Sequence, residues 1–368
     1  MSDGILYEIA MTQLPGIGDI SGKKFVQYCG SAEAVFKETR KSLEKINGMR
    51  EASIDAICKP KEYLRRAEEE MAFMEKNAIQ PLFFLDSDYP RRLLQCDDGP
   101  MMLYYKGKAN LNANRVVAIV GTRNITEYGK ENCSQLVEDL KDDNVLIVSG
   151  LAYGVDTCAH KASVKNGIPT VGVMGCGMQQ IYPAPNKKLA SEMIEQGGGI
   201  LTECMSGTQP DRENFPRRNR IIAGMADAVV VVESALKGGS LITADLANSY
   251  SRDVFAYPGR VMDLFSQGCN YLIRTQRAHL MESAANLRYV MRWDPQQTPT
   301  STQTSLFREF TEEEKRIMSL FENQQIVALD DLIVKTELST TKLANLLLNL
   351  EFDGILMALP GKRYQRCY

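Results

Sequence analysis

Between residues 116 and 257, short, continuously apolar runs alternate with stretches of helical periodicity, and this constrains the fold more than any other feature. The runs are 116–120 (VVAIV), 145–149 (VLIVS), 170–174 (TVGVM), 199–202 (GILT), 228–233 (AVVVVE) and 253–257 (DVFAY). Helical segments fall near 125–141, 156–166, 186–196, 217–226 and 240–250. A strand that is apolar throughout has to be covered on both faces, and helical crossovers between parallel strands provide that cover. The pattern therefore predicts an α/β domain with a Rossmann-like, doubly wound, mostly parallel sheet. Ligands of such sheets bind beyond the carboxyl ends of the strands, so the loops that follow the runs are where function is sought.

The flanks differ in character. Residues 1–80 predict short helices, with Leu64, Ala67, Met71 and Met74 at helical spacing. The segment Leu14-Pro15-Gly16-Ile17-Gly18 is a tight turn similar to the hairpin of helix-hairpin-helix and SAM-like domains. Ile46-Asn47-Gly48-Met49 is a weaker turn of the same kind. A packing turn and a phosphate-facing turn fit these residues equally well. The sheet domain is expected over 81–293, and a Thr/Gln/Pro/Ser-rich linker over 294–310. In 311–368, Thr311 and Glu314 have capping-box spacing, further helices cover about 328–336 and 339–350, and an apolar hairpin with a basic end follows. This order predicts a winged helix.

Composition limits the function classes. A net charge of -3 gives no general attraction for a polyanion, so phosphate recognition would rest on a local cationic groove or on backbone N–H groups. The nine cysteines are scattered and never form C-x-x-C, which argues against a disulfide framework and a zinc ribbon. No metal or cofactor is expected. Neither a signal peptide nor a membrane-spanning run is legible, so a soluble cytoplasmic protein with reduced thiols is expected.

Glycine-bearing loops follow successive strands. Gly121-Thr122-Arg123-Asn124 combines a close backbone approach with a forked cation, and Asn124 and Glu127 have capping-box spacing. Ser149 to Asp156 holds Gly150 and Gly154; Asp156 is expected to cap a helix from about 157, and His160 to be buried or capping. Gly175-Cys176-Gly177 has no basic neighbour, so Cys176 is read as a packing residue. Arg212 to Arg220 places Arg212, Phe215, Arg217, Arg218 and Arg220 around Pro216 at a helix start, where cations are unfavourable unless an anion or a paired acid offsets them. An aromatic among basic residues suits single-stranded nucleic acid; pairing within the fold is the rival explanation, above all for Arg220. Lys237-Gly238-Gly239-Ser240 before a helix makes a phosphate-friendly nest. The candidate phosphate- and DNA-binding set is Gly121, Thr122, Arg123, Gly150, Gly154, Gly177, Arg212, Phe215, Arg217, Arg218, Arg220, Lys237, Gly238, Gly239 and Ser240. No catalytic residue is assigned.

The same residues carry a resemblance. Val120 to Arg123, Ser149 to Ala152 with Gly154, Asp156 and His160, and Tyr182-Pro183 with Asn186 and Glu203 resemble the DNA-processing protein A family, DprA or Smf. So do Phe215 to Gly224, Gly239-Ser240, Thr243-Ala244, Pro258-Gly259, Gly268 and Asn270. The resemblance is strong over about 81–285. It implies a non-enzymatic protein that binds single-stranded DNA, forms a homodimer and loads RecA recombinase in natural transformation or recombination. It also implies DNA contacts from Arg123 and the Gly121 loop, Arg212, Phe215 and the Gly238–Ser240 loop. Tyr153, at a position often basic in the family, and Gly238, where Ser is commoner, depart from its pattern.

Three rivals remain. A nucleotide phosphoribohydrolase of the lonely-guy type uses the same Rossmann variant, but its catalytic Glu position is Ala244 here, leaving Glu203 and Glu233 as candidate acids. A duplex-DNA reader would use the winged helix, whose third helix offers only Lys342 as a base among several leucines. A dinucleotide oxidoreductase would need G-x-G-x-x-G, which is absent.

Overall fold

The computed structural model describes residues 3–293, 310–321 and 324–367; the expected linker, apart from Phe310, lies outside them. The chain divides into two compact units, Met1–Met281 and Glu282–Tyr368.

The first unit begins with helices α1 (Asp3–Met11), α2 (Asp19–Cys29), α3 (Ala32–Lys37), α4 (Arg40–Leu43), α5 (Glu51–Cys58) and α6 (Lys61–Asn77). The two expected turns join α1 to α2 and α4 to α5. Gly16 and Gly48 take φ of +74° and +90°, a region open to glycine at no steric cost. Strands β1 (Gln80–Phe83), β2 (Met102–Gly107), β3 (Arg115–Val120), β4 (Val145–Ser149), β5 (Thr170–Met174), β6 (Gly199–Thr202), β7 (Ala228–Val231), β8 (Asp253–Ala256) and β9 (His279–Leu280) form one sheet. Its helices are α7 (Arg91–Leu94), α8 (Glu127–Asp139), α9 (Val155–Asn166), α10 (Lys187–Glu195), α11 (Asn214–Met225), α12 (Gly239–Ser249) and α13 (Gln267–Arg274).

The sheet order is β1-β2-β6-β5-β4-β3-β7-β8-β9. All pairings from β6 to β9 are parallel, as the continuous apolar runs require; β1 and β2 add an antiparallel edge. From β3 the chain builds outward through β4, β5 and β6, then returns to place β7 on the other side of β3. The loops after β3 and β7 consequently diverge, and they open a crevice at the topological switch point. Every residue of β4, β5 and β7 is buried.

The helical layer and the sheet share one core. Ile9, Phe25 and Met74 belong to the same apolar cluster as Leu103, Tyr104 and Met225. The regions expected as separate domains over 1–80 and 81–293 therefore form a single compact unit up to Met281.

The second unit holds α14 (Ala284–Met291), α15 (Glu312–Ser319), α16 (Leu329–Thr336) and α17 (Thr340–Phe352). A three-stranded sheet in the order β10 (Ile326–Ala328), β12 (Arg363–Arg366), β11 (Leu356–Leu359) completes the winged helix. The capping box forms: Glu314 N–H donates to Thr311 Oγ1 at 3.2 Å, and Thr311 N–H to Glu314 Oε2 at 2.9 Å. Leu343, Leu347 and Leu350 of α17 are core residues, and Lys342 is paired with Glu313. The helix offered as a duplex reader thus packs with its leucines and has its one base neutralised.

Candidate nucleic-acid interface

The loop after β3 is held from both sides. Thr122 N–H donates to Glu233 O at 2.8 Å, and Val155 N–H donates to Thr122 O at 3.1 Å. Gly154 lies beneath it with φ +79°, and a Cβ there would come within 2.2 Å of Thr122 O. With its backbone fixed in this way, Arg123 projects its exposed side chain over the crevice. The helix that follows is capped by Thr126, whose Oγ1 accepts from Gly129 N–H, and not by Asn124 as expected. Glu233 accepts from the Thr126 backbone N–H at 2.9 Å and from its hydroxyl.

The opposite wall is the loop after β7 and the start of α12. Gly238 is the N-cap and forms no side-chain cap, so the first-turn N–H groups of an eleven-residue helix face the crevice without a side-chain acceptor. Ser240 Oγ donates to Ser234 Oγ at 2.8 Å, which fixes the nest. Gly238 has a local reason to depart from the family's Ser: a Cβ there would stand 2.4 Å from Ser234 Oγ.

The third wall is α11, with Pro216 in its first turn. Residues three, four and seven apart share a helix face, so Phe215, Arg218, Asn219 and Ile222 line the crevice together. The result is a cleft of about 750 Å³ whose rim carries Arg123, Arg212 and Lys237. Among the described residues none of these three forms an ion pair. Half-buried Phe215 has two neighbours: the Arg123 guanidinium sits 5.4 Å from its ring centroid, and the Tyr182 ring 5.7 Å away at 38°.

Arg218 closes the floor. It is buried, donates to Val173 O, and among the described residues its Nε has no hydrogen-bond partner. Burial lowers its pKa, and the nearby Asp156 carboxylate works against that shift. Burial likewise raises the pKa of Asp156, against Arg218. Gly150 makes this packing possible, because a Cβ there would lie 2.2 Å from Asp156 Oδ2 and 2.3 Å from Arg218 Nη1. Asp156 is not the expected cap: α9 starts at Val155, and the carboxylate turns inward to accept from Ala152 N–H at 3.3 Å.

Of the candidate set, Gly121, Thr122, Arg123, Arg212, Phe215, Arg218, Lys237, Gly238, Gly239 and Ser240 meet at the cleft. Gly150, Gly154 and Gly177 do not line it. The first two serve packing behind it, and Gly177 sits against Gln179 and Met205. Arg217 and Arg220 point off the other side of α11. Arg217 lies 3.1 Å from Glu203, and Arg220 pairs with Glu203 and with Asp19 at 3.1 Å. Asp19 opens α2, so this cluster bolts the helical layer to the sheet. Pairing within the fold, the rival explanation, holds for both arginines. Sequence reasoning assigned Tyr182 to the family pattern but not to the site; its signal was its place just after the Gly177 loop.

His160 is fully buried between Thr170 Oγ1 (2.7 Å) and Gly150 O (2.5 Å), and burial pulls its pKa down to about 4. The Cys176 thiol is buried and pushed up to about 11, as befits a packing residue. Among the described residues, no three His, Cys, Asp or Glu side chains gather as a metal site would need, and no helix is long and apolar enough to cross a membrane.

Residues 80–292 match the DNA recombination-mediator protein A family, and residues 295–362 match the DprA winged helix domain. The chain belongs to this family. It is 31% identical to protein Smf of Synechocystis over 98% of both chains. It is 42% identical to DNA processing protein DprA of Streptococcus pneumoniae over 52% of this chain and 67% of that one. The crystal structure of the S. pneumoniae protein superposes with a TM-score of 0.65 at 33% identity, covering 77% of this chain and 97% of the other. DNA processing protein A from Helicobacter pylori, whose structure was described for its single-stranded DNA binding mode, gives a TM-score of 0.52 at 31% identity, with 57% and 93% covered. In this DprA-family chain the matched segment contains the entire cleft.

Proposed function

We propose that the switch-point cleft binds single-stranded DNA without altering it. The observation that carries this is the union of three cations that form no ion pair among the described residues, Arg123, Arg212 and Lys237, with the ring of Phe215 and the open N-terminus of α12. Cations and N–H groups suit the phosphates, and an aromatic face accepts any base, the combination that sequence-independent single-strand binders use. A net charge of -3 is no obstacle, because the attraction is local.

Chemistry on a nucleotide is less well supported. Of the two acids a phosphoribohydrolase might use, Glu203 is engaged by Arg217 and Arg220, and Glu233 holds the start of α8. Ala244, at the family-specific Glu position, is buried. Among the described residues, the one carboxylate lining the cleft, Asp156, sits against Arg218. Passing the bound strand to RecA, acting as a homodimer and working in the cytoplasm complete the reading; their support is family membership.

The test is fluorescence anisotropy of a labelled oligo-dT over a salt series, with duplex and mononucleotides as competitors. Salt-sensitive binding that duplex and mononucleotides compete for poorly is expected. Binding of mononucleotides alone, or their turnover by the protein, would replace this reading with the enzymatic one.

A further inference from the structure

The helices that follow the Arg123 and Gly154 loops, α8 and α9, pack against each other, and each carries a free cysteine, Cys133 on α8 and Cys158 on α9. Cys158 of α9 is seated in a hole made by residues 130, 133 and 134 of α8. Those positions are i, i+3 and i+4, the spacing that forms a groove on a helix surface. Its sulfur lies 3.9 Å from the Lys130 carbonyl oxygen and 3.8 Å from Ser134 Oγ, and Cys133 stands between these two on the same face of α8. Cys133 is fully buried, whereas Cys158 is partly open to solvent.

We propose that Cys158 and Cys133 are a peroxide-oxidisable dithiol, an attacking and a resolving cysteine that close to a disulfide linking α8 and α9. The roles follow from exposure, since a peroxide can reach Cys158 but not Cys133. The local charges agree. The neighbouring Cys133 thiol brings the Cys158 thiol down to about 7 against the opposing effect of burial, with Ser134, Lys130 and Lys161 contributing in the same direction, while Cys133 is pushed up. A thiol near neutrality is thiolate in large part, and the thiolate is the nucleophile.

The reaction balances. The Cys158 thiolate attacks one oxygen of hydrogen peroxide; an S–O bond forms, the O–O bond breaks, and the departing hydroxide takes up the thiol's proton to leave as water. The Cys133 sulfur then attacks the sulfur of the Cys158 sulfenic acid. An S–S bond forms, the S–O bond breaks, and the second hydroxide leaves as water with the Cys133 proton. Two thiols are oxidised and one peroxide is reduced to two waters.

The experiment treats the full chain with hydrogen peroxide, blocks residual thiols and maps tryptic peptides without reduction. Lys141 separates the two cysteines into different peptides, so the bond is visible as a cross-link. Expected are a Cys133–Cys158 linked pair, a mass loss of about 2 Da and reversal by a dithiol reductant. In Cys133→Ala the resolving sulfur is gone, and Cys158 should gain about 32 Da as sulfinic acid. In Cys158→Ser, Cys133 should stay reduced; that variant changes a partly exposed position and guards against a folding defect in the first. Sulfinic Cys158 in the unaltered chain with no linked pair would overturn the proposal, as would Cys133 oxidising in Cys158→Ser.

Discussion

The guanidinium of Arg123 lies over the ring of Phe215, 5.4 Å from its centroid, across the mouth of the cleft. Arg123 comes from the loop after β3 and Phe215 from the first turn of α11, so the contact joins two walls of the switch-point crevice. It has a consequence for DNA: with Arg123 and Tyr182 beside it, the ring is already oriented when a base arrives. Phe215→Ala should weaken oligo-dT binding by about 1–3 kcal/mol, the usual value of one stacked base. Phe215→Trp should retain most of the affinity. Anisotropy titrations of both variants check this, and unchanged binding in Phe215→Ala would make the ring a packing residue.

The four arginines between residues 212 and 220, on α11 and its approach, should separate by their surroundings. Arg212 is exposed at the cleft rim, whereas Arg217 is engaged by Glu203 and Asp19 on the opposite side. Arg212→Ala and Arg123→Ala should each lower the slope of log K against log salt by about 0.7, one phosphate contact. Arg217→Ala should leave the slope unchanged. A slope that falls equally in all three would mean that the strand runs over both sides of the helix.

That separation marks where sequence reasoning stops. The sheet was legible because an apolar run from 116 to 120 can only be covered from both sides, and β3 to β6 fall within a residue of the expected runs. β1 and β2 were missed: QPLF and MLYYKG mix polar and apolar residues in an antiparallel edge, so the parallel signature does not extend to them. Arg217 and Arg218 are neighbours in sequence yet lie about 100° apart around a helix. The acids that claim Arg217, Asp19 and Glu203, belong to a distant helix and to the loop after β6. A basic cluster was visible; its division between cleft and interior was not. The glycine loops behave alike for the same reason. Gly121 and Gly239 shape the cleft, while Gly150 and Gly154 make room for Asp156, Arg218 and the Thr122 carbonyl. A glycine does not say which neighbour it makes room for.

The Arg220 cluster should be structural. Arg220 and Glu203 side chains are 9% and 7% exposed, so removing Arg220 leaves the sheltered Glu203, among the described residues, with only Arg217, itself 60% exposed, as its partner. Arg220→Met should cost roughly 3–5 kcal/mol in urea unfolding, since breaking a buried pair is far more costly than replacing it whole. Arg220→Met with Glu203→Gln should recover a large part of that loss. Near-parent stability of the single variant would show that water reaches Glu203.

His160 should make stability depend on pH in a defined window. Its pKa is about 4 in the folded protein, because burial disfavours the charged ring, against 6.5 for an ordinary histidine. The unfolded chain thus binds a proton between those values that the folded chain refuses. The neutral ring's contribution is fully present above about pH 6.5 and is lost as pH falls toward 4; below that both states are protonated and the dependence ends. The full loss is about 3 kcal/mol at 1.36 kcal/mol per pH unit. Urea midpoints of the parent and of His160→Gln between pH 7 and 4.5 isolate this contribution, because every other titrating group is common to both. The parent should lose more stability than the variant on acidification. Parallel curves would mean that the ring between Thr170 and the Gly150 carbonyl accepts its second proton without cost.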